Sequence, residues 1–314
     1  MMDAYPDKEL QIRYIKLTFT LTFTDDCQVP ISKTSALRGG MGEMLLRANC
    51  IKNRECETCD YKEECIVQRT MYSHFDHKPA FITSGESIGY VIECENYKDR
   101  MSVGEEMRFH LILFGKTVVY FNLYLQAIAA LGQNGLGKDK ARFVISGIKN
   151  QYGQEILEGS NIYMQYYKPT TVSEYVDHRK KQLAGQSITE IRFCTPLSLK
   201  YQGEFLKEFQ MDALIKGIQR RIYILDCFEN IDGEDLYKAE LVGPVILSQE
   251  TRPISVRRFS NRKEQAMWLN GIKGSIQIEN LTEELLPIFL AGELIHVGKN
   301  TSFGFGRYRM EEKA

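Results

Sequence analysis

The sequence lacks an apolar run of the about 20 residues that would cross a membrane. Its first residues, Met-Met-Asp-Ala-Tyr-Pro-Asp-Lys, do not contain the apolar stretch of a signal peptide. An excess of one charge is also missing, because 40 Lys and Arg nearly balance 41 Asp and Glu. These absences argue against a membrane or secreted protein and predict a cytoplasmic one. Any basic surface must come from local clustering of cations and not from the net charge.

The remaining composition is that of a folded protein. The chain has 314 residues, of which 43% are hydrophobic and 26% charged, and this length favours two domains over one. Its eight cysteines are expected to be reduced or metal-bound, because disulfides are rare in the cytoplasm.

Residue patterns in the first half predict the order strand, helix, strand, strand, helix, strand. Residues 11–24 alternate between apolar and polar types and are rich in β-branched and aromatic side chains, which indicates a strand. A helix is expected to begin at Gly39 and Gly40 and to end near Asn49. Further strands are predicted at 89–95, 106–114 and 142–148, and a second helix at 118–131. This order is ferredoxin-like.

The same order returns in the second half. Residues 209–228 carry an apolar stripe at helical spacing, with Lys216, Arg220 and Arg221 away from it. Strands are predicted at 188–199, 254–269, 275–279 and 304–310, and a short helix at 283–290. The sequence therefore predicts an α+β fold of two tandem ferredoxin-like (RRM-like) domains. These cover residues 1–165, with a Cys-rich insert at 50–65, and residues 187–314, with a glycine-rich loop, and 166–186 is the expected linker.

Residues 294–309 form the glycine-rich loop, Leu-Ile-His-Val-Gly-Lys-Asn-Thr-Ser-Phe-Gly-Phe-Gly-Arg-Tyr-Arg. Its glycines free the backbone for left-handed conformations, its polar side chains are phosphate donors, and its aromatic rings could stack on bases. These residues are Gly298, Gly304 and Gly306; Lys299, Asn300, Thr301, Ser302, Arg307 and Arg309; and Phe303, Phe305 and Tyr308. A P-loop is excluded because the pattern G-x-x-x-x-G-K-[ST] is absent. The loop suits a phosphodiester backbone, especially that of single-stranded RNA.

Cations also cluster ahead of this loop. Within twelve residues lie Arg252, Arg257, Arg258, Arg262 and Lys263. In an alternating strand Arg258 and Arg262 share one face, while Arg257 and Lys263 share the other. Such a two-sided arm could grip an RNA backbone, although charge runs are more often simply solvated faces.

Four of the eight cysteines lie within sixteen residues. Cys50, Cys56, Cys59 and Cys65 have the spacing C-x5-C-x2-C-x5-C, which in a reducing compartment predicts structural zinc, with an iron–sulfur cluster as the second choice. The alternative is a loop of free thiols. A closed four-cysteine site has no open position for water, so it would hold the insert together and would not cleave anything.

Three stretches resemble one known family. The tail from residue 292 to 308 is similar to its C-terminal glycine-rich motif. Leu-Arg-Gly-Gly-Met-Gly-Glu at 37–43, followed by the cysteines and Phe75, is similar to an N-terminal signature. Arg-Arg-Phe-Ser-Asn-Arg-Lys at 257–263 and Trp-Leu-Asn-Gly-Ile-Lys-Gly at 268–274 resemble the strands before the glycine-rich motif. The family is that of the CRISPR repeat-processing endoribonucleases of the RAMP superfamily, in the subgroup with a cysteine-containing N-terminal insert.

The resemblance implies two ferredoxin-like domains and cleavage of a CRISPR precursor RNA within its repeats. It also implies attack by a ribose 2′-OH without metal, which leaves a 2′,3′-cyclic phosphate and a 5′-OH. The expected partners are CRISPR repeat RNA and a CRISPR effector complex, and a homodimer is left open. A second hypothesis is a RAMP subunit that holds guide RNA without cutting it. A third is a zinc-bearing interaction protein of unrelated function.

Histidine suits the two proton transfers of this reaction because its pKa lies near neutrality. Many family members place a catalytic histidine near the first helix, but residues 32–49 contain none and offer Arg38 and Arg47 instead. His296 is therefore the predicted acid or base, with Lys299 beside it, and the alternative is a histidine that only braces the loop. The predicted RNA contacts are Gly298, Thr301, Ser302, Gly304, Gly306, Arg307, Arg309, Arg257, Arg258, Arg262 and Arg38. The other histidines, His74, His77, His110 and His178, are interpreted as loop, strand or surface residues.

Overall fold

The computed structural model describes residues 10–82, 86–183, 188–260 and 265–312. The chain forms two compact units. The N-terminal unit is Arg13–Pro169, and the C-terminal unit is Thr170–Ala314 together with residues 10–12. No helix in the described ranges is both long enough and apolar enough to cross a membrane.

The N-terminal unit contains eight strands and three helices among its described residues. The strands are β1 (Arg13–Phe23), β2 (Cys27–Gln28), β3 (Tyr90–Glu93), β4 (Arg100–Met101), β5 (Glu106–Phe114), β6 (Phe143–Lys149), β7 (Glu155–Glu158) and β8 (Asn161–Ile162). The helices are α1 (Lys33–Asn49), α2 (Ile66–Met71) and α3 (Phe121–Asn134), with 3₁₀ turns at Gly115–Tyr120 and Met164–Tyr166. The main sheet has the order β3-β5-β1-β6-β7-β8, with antiparallel neighbours. Its first four strands with α1 and α3 have the predicted ferredoxin-like arrangement.

Strand β1 carries the core of this unit. Leu17, Phe19 and Leu21 are completely buried, and the threonines between them are half-buried, as the alternation of residues 11–24 predicts. Helix α1 differs from its prediction because it begins at Lys33, ahead of the glycines. A Cβ at Gly40 would lie 2.5 Å from Leu131 Cδ1, so this glycine lets α1 approach α3 inside the helix and does not start it.

The C-terminal unit repeats the arrangement. Its strands are β9 (Thr170–Thr171), β10 (Ile188–Leu197), β11 (Lys200–Tyr201), β12 (Glu204–Phe205), β13 (Val245–Ser260), β14 (Gln265–Glu279) and β15 (Tyr308–Glu312). Its helices are α4 (Val172–Gln182), α5 (Met211–Glu229), α6 (Glu234–Lys238) and α7 (Leu285–Ile295), with a 3₁₀ turn at Thr301–Phe303. The antiparallel sheet has the order β13-β14-β10-β15. Strand, helix, hairpin, helix and strand therefore occur in the same order and with the same pairing as in the first unit, which confirms the predicted fold class.

The expected linker at 166–186 is largely a helix. Although α4 has a charged sequence, Val172, Val176 and Arg179 form a buried face on it. Arg179 donates to both carboxylate oxygens of Glu293 on α7, at 2.9 and 3.2 Å, and both residues are buried. The linker prediction was wrong here because a buried ion pair looks like solvated charge in the sequence.

The predicted single strand at 254–269 is also wrong. Residues 254–260 and 265–269 belong to two antiparallel strands, β13 and β14, which pair from Val245 with Glu279 to Ser260 with Gln265. Both strands have strand-like residue patterns, so the pattern alone did not reveal that they are antiparallel. Residues 261–264 lie outside the described ranges.

Candidate nucleic-acid interface

The glycine-rich loop is fixed to the end of strand β10 by backbone hydrogen bonds. Lys299 N–H donates to Ser198 O at 2.7 Å, and Gly306 N–H donates to Pro196 O at 2.9 Å. Gly298 and Gly306 have φ values of 90° and 75°, and a Cβ on either would lie within 2.3 Å of a carbonyl oxygen. Only glycine fits this close approach of two chain segments.

The backbone amides of the loop are mostly used internally. Val297 N–H donates to Gly306 O at 3.0 Å, and the amides of Phe303, Gly304 and Phe305 donate to carbonyls of Asn300 or Thr301. These four amides, and those of Lys299 and Gly306, are therefore not available to donate to a phosphate. The side chains of the loop are the groups that remain for an external anion.

The aromatic residues of the loop belong to the core. Phe303, Phe305 and Tyr308 are at most 9% exposed, and the Tyr308 hydroxyl donates to Phe289 O at 2.5 Å. Burial also raises the pKa of Tyr308 well above its ordinary value, so this phenol is no base. The prediction that these rings stack on bases is wrong for this packed arrangement.

Three cationic side chains of the loop reach its surface. Lys299 and Arg307 are half-buried, and the Arg309 side chain is 43% exposed, with Nη1 3.9 Å from Glu293 Oε2. The predicted contacts Thr301 and Ser302 are each only 5% exposed. The structure therefore places the cations of the loop at its surface and the hydroxyls inside.

His296 lies directly after α7 and is completely buried. Its Nδ1 is 2.9 Å from Phe305 O, across the loop. Its φ of 57° and ψ of 154° fall close to a region that is nearly exclusive to glycine. Arg221 from α5 donates to the preceding carbonyl, Ile295 O, at 3.1 Å. In this arrangement the ring braces the loop and does not face solvent.

The hairpin β13–β14 extends beyond the rest of its sheet. Strand β10 pairs with β14 only from Ile272 onwards, so residues 254–260 and 265–271 form a two-stranded segment, here named the arm. Arg258 on the arm covers the ring of Phe303, with its guanidinium carbon 3.8 Å from the ring centroid. Arg257 is exposed and lies opposite Trp268, which is 64% exposed. The predicted contact Arg262 lies outside the described residues, as does Lys263.

Arg38 and Arg47, the two arginines of α1, have partners within the N-terminal unit. Arg38 Nη2 donates to Ser87 Oγ at 2.8 Å, and Arg47 Nε donates to Glu43 Oε1 at 2.7 Å. Burial raises the pKa of nearby Tyr90, and the opposing charge of Arg38 does not cancel this effect. Tyr90 is therefore unsuited to act as a base.

The remaining histidines lie where the sequence interpretation put them. His110 on β5 has Nδ1 2.9 Å from Thr18 Oγ1 on β1, and His74 Nδ1 lies 3.3 Å from Glu63. His77 is an exposed loop residue, and His178 is exposed on α4.

The four clustered cysteines do not converge on one point. Within the described ranges, no three Cys, His, Asp or Glu side chains are placed to share a metal ion. Cys50 Sγ instead accepts a hydrogen bond from Arg54 N–H at 3.2 Å, and Cys65 is the residue before α2. The predicted zinc or iron–sulfur site gains no support from this geometry and stays a prediction.

Two family models match this chain, one in each half. The AF_1859_N family model, described as an N-terminal domain, matches residues 11–172. The model of CRISPR-associated endoribonuclease Cas6 matches residues 191–308, which include the arm and almost all of the glycine-rich loop. Over residues 191–308 the chain is therefore similar to the Cas6 family of CRISPR-associated endoribonucleases. An uncharacterized protein of Archaeoglobus fulgidus is 20% identical over 278 residues, which cover 87% of this chain and 89% of that protein.

Solved structures show the same fold at low sequence identity. The product complex of a Thermus thermophilus Cas6 has a TM-score of 0.53 and 11% identity, and the match covers 95% of this chain and 99% of that one. A partial Cas6-RT-Cas1–Cas2 complex has a TM-score of 0.59 and 12% identity over 96% of this chain. The chain spans only 46% of the length of that larger protein.

Two features of the Cas6 domain were not found from the sequence. The contact of Arg258 with Phe303 joins residues 45 positions apart, and no local pattern indicates it. The exposure of Trp268 follows from the projection of the arm, which the prediction of a single strand at 254–269 concealed. The absence of acidic residues at 265–271, beside a single tryptophan, was the available signal.

Proposed function

We propose that the protein cuts CRISPR precursor RNA within its repeats by attack of a ribose 2′-OH on the adjacent phosphate, without metal. The products would be a 2′,3′-cyclic phosphate and a 5′-OH. One observation carries the proposal: Arg258 on the arm contacts Phe303 in the glycine-rich loop, and both residues lie in the region that matches the Cas6 family. This contact places the exposed Arg257 of the arm and the half-buried Lys299 and Arg307 of the loop within one packed unit.

The arm and the loop offer different kinds of contact to RNA. Arg257 and Trp268 lie opposite each other on adjacent strands and are both exposed, so one can contact a phosphate while the other stacks on a base. Lys299 and Arg307 on the loop carry the charge that a pentacoordinate phosphorane would need. We assign Lys299 to the phosphate at the cut, since its backbone is held by Ser198 O and its side chain reaches the surface.

His296 is assigned a positioning role in this proposal. Its ring is completely buried and bridges the loop to Phe305 O, so in this conformation it cannot reach a 2′-OH. Arg38 and Ser87 form a polar pair on the N-terminal unit, and their contact with RNA stays a prediction. The homodimer and the effector complex also stay predictions.

The alternative is a Cas6-like subunit that binds guide RNA without cutting it. It is favoured by one observation: no histidine of the glycine-rich loop, whose residues 294–309 are all described, reaches its surface. The two functions differ in the fate of a bound repeat and not in affinity.

Incubation with a repeat RNA from the same genome, followed by mapping of the product ends, tests the proposal. A single cut that leaves a 2′,3′-cyclic phosphate and a 5′-OH supports it, whereas 3′-OH ends contradict it. Lys299→Ala should slow cutting about tenfold or more through lost electrostatic stabilisation of the transition state. Lys180→Ala on the exposed face of α4 is the matched control and should cut normally.

A further inference from the structure

The open face of the C-terminal sheet contains a depression of about 670 Å³. Residues of strands β10, β13 and β14 line it. Its polar side chains include Arg192, Glu250, Arg252, Lys273 and Ser275. These residues come from strand positions that the glycine-rich loop and the arm do not use.

Two cations face each other in this depression without a counter-ion. Arg252 on β13 pairs in register with Lys273 on β14, so both side chains leave the same face of the sheet. Among the described residues, neither forms an ion pair or a side-chain hydrogen bond. Like charges directly opposite each other on neighbouring strands are destabilising. A bound anion would remove this repulsion.

Arg192 contrasts with this pair. Its Nη2 lies 3.0 Å from Glu190 Oε2 and 3.0 Å from Glu311 Oε2, so its charge is already balanced. Its strand partner on β14 is Ser275, which in turn pairs with Glu250 on β13. The depression therefore has an uncompensated cationic end at Arg252 and Lys273.

Glu250 adds a hydrogen-bond acceptor to the depression, beside the two cations. It is two residues from Arg252 on the same strand face, which corresponds to about 7 Å. A carboxylate only accepts hydrogen bonds, so beside an anion site it suits a donor such as the exocyclic amine of a base. Phosphate and base amine are both present in one nucleotide.

We propose that this depression binds one nucleotide unit, with its phosphate ester on Arg252 and Lys273 and an amine of its base on Glu250. The site deepens the proposed function, on which it rests, because an RNA strand that reaches the loop could place an unpaired nucleotide here. A free nucleotide has the same chemistry and is the other source. Uracil has no exocyclic amine to donate to Glu250, so we expect the depression to bind a uridine unit more weakly than a cytidine or adenosine unit.

Binding of a fluorescent single-stranded repeat RNA across a salt series tests the site, with the double variant Arg252→Ala/Lys273→Ala. The double variant should bind at least tenfold more weakly at low salt, and its slope of log K against log salt should fall by about 0.7, the value for one lost phosphate contact on a single strand. The control Lys180→Ala/Lys181→Ala removes two exposed cations from α4 of the same unit and should change neither quantity. An unchanged slope in the Arg252/Lys273 variant overturns the proposal.

Two further arms separate the sources of the nucleotide and the failure of the underlying function. If AMP competes with the RNA for wild-type protein but not for the double variant, the site is assigned to free nucleotides. If millimolar AMP does not compete while the salt slope still changes in the double variant, the site is assigned to the RNA strand. Glu250→Gln should reduce the preference for C or A over U, and an equal preference in both proteins contradicts the role of Glu250. If wild-type protein binds RNA but does not cut it, the proposed function fails. The change in salt slope between wild-type protein and the Arg252/Lys273 variant still tests whether the depression binds a nucleotide.

Discussion

The guanidinium carbon of Arg258 lies 3.8 Å from the centroid of the Phe303 ring. This distance is well within the range of a cation–π interaction. Phe303 is buried in the glycine-rich loop, and Arg258 belongs to the arm, so one contact joins the two elements that the proposed function needs.

A double-mutant cycle measures this contact. Arg258→Ala and Phe303→Leu should each reduce the free energy of unfolding, and the double variant should lose about 0.5–1 kcal/mol less than the sum, as expected for a partly exposed cation–π pair. Urea denaturation followed by circular dichroism gives the four values. Arg257→Ala, on the other face of the arm, is the control and should be additive with Phe303→Leu. Additivity in the Arg258 cycle would contradict the coupling.

Substitutions at His296 separate bracing from catalysis. Both His296→Ala and His296→Gly remove the hydrogen bond to Phe305, but glycine also relieves a backbone conformation that costs other residues about 1–3 kcal/mol. We therefore expect His296→Gly to unfold at a higher temperature than His296→Ala. At a temperature where both are folded, both should still cut repeat RNA. A folded His296→Gly protein that binds RNA normally and cuts none would make His296 a catalyst.

The buried pair of Arg179 and Glu293 should dominate the stability of the C-terminal unit. Glu293 also accepts from Tyr175 and from the backbone of Met310, so Glu293→Gln leaves a buried guanidinium uncompensated and should cost about 3–5 kcal/mol. The exposed pair of Glu234 and Lys238 is the matched control, and Glu234→Gln should cost less than about 0.5 kcal/mol. Equal losses in urea denaturation would show that Arg179 finds another partner.

Two adjacent glycines in α1 should respond in opposite directions. A Cβ at Gly39 meets nothing within 4 Å, so Gly39→Ala should stabilise the helix by about 0.5–1 kcal/mol. A Cβ at Gly40 would lie 2.5 Å from Leu131 Cδ1, so Gly40→Ala should destabilise by about 1 kcal/mol or more through overpacking. Thermal unfolding of the two variants provides the comparison. Stabilisation by both would mean that α1 and α3 pack less closely than described.

The sequence predicted the elements whose residues alternate or repeat at a regular spacing. The alternation at 11–24 and the apolar stripe at 209–228 correspond to β1 and α5, because burial on one side of an element repeats along the chain. The order of the elements then indicated two ferredoxin-like units. The family resemblance added the function, which no composition or charge could give at a net charge of −1.

The sequence did not predict what depends on partners distant in the chain. The glycine-rich loop is held by hydrogen bonds from the amides of Lys299 and Gly306 to carbonyls about 100 residues earlier, which no local pattern indicates. His296 was predicted to be catalytic because the sequence around it does not indicate that its ring is buried. Arg179 looked solvated because its partner, Glu293, lies on another helix.

Cleavage of a repeat RNA in EDTA, beside the same RNA with a single 2′-deoxyribose at the mapped cut, tests the central claim most directly. The proposed mechanism predicts that EDTA leaves the cleavage rate unchanged and that the 2′-deoxy RNA binds with the same affinity but is not cut. Loss of cleavage in EDTA, or cutting of the 2′-deoxy RNA at the same position, would contradict metal-independent attack by the 2′-OH.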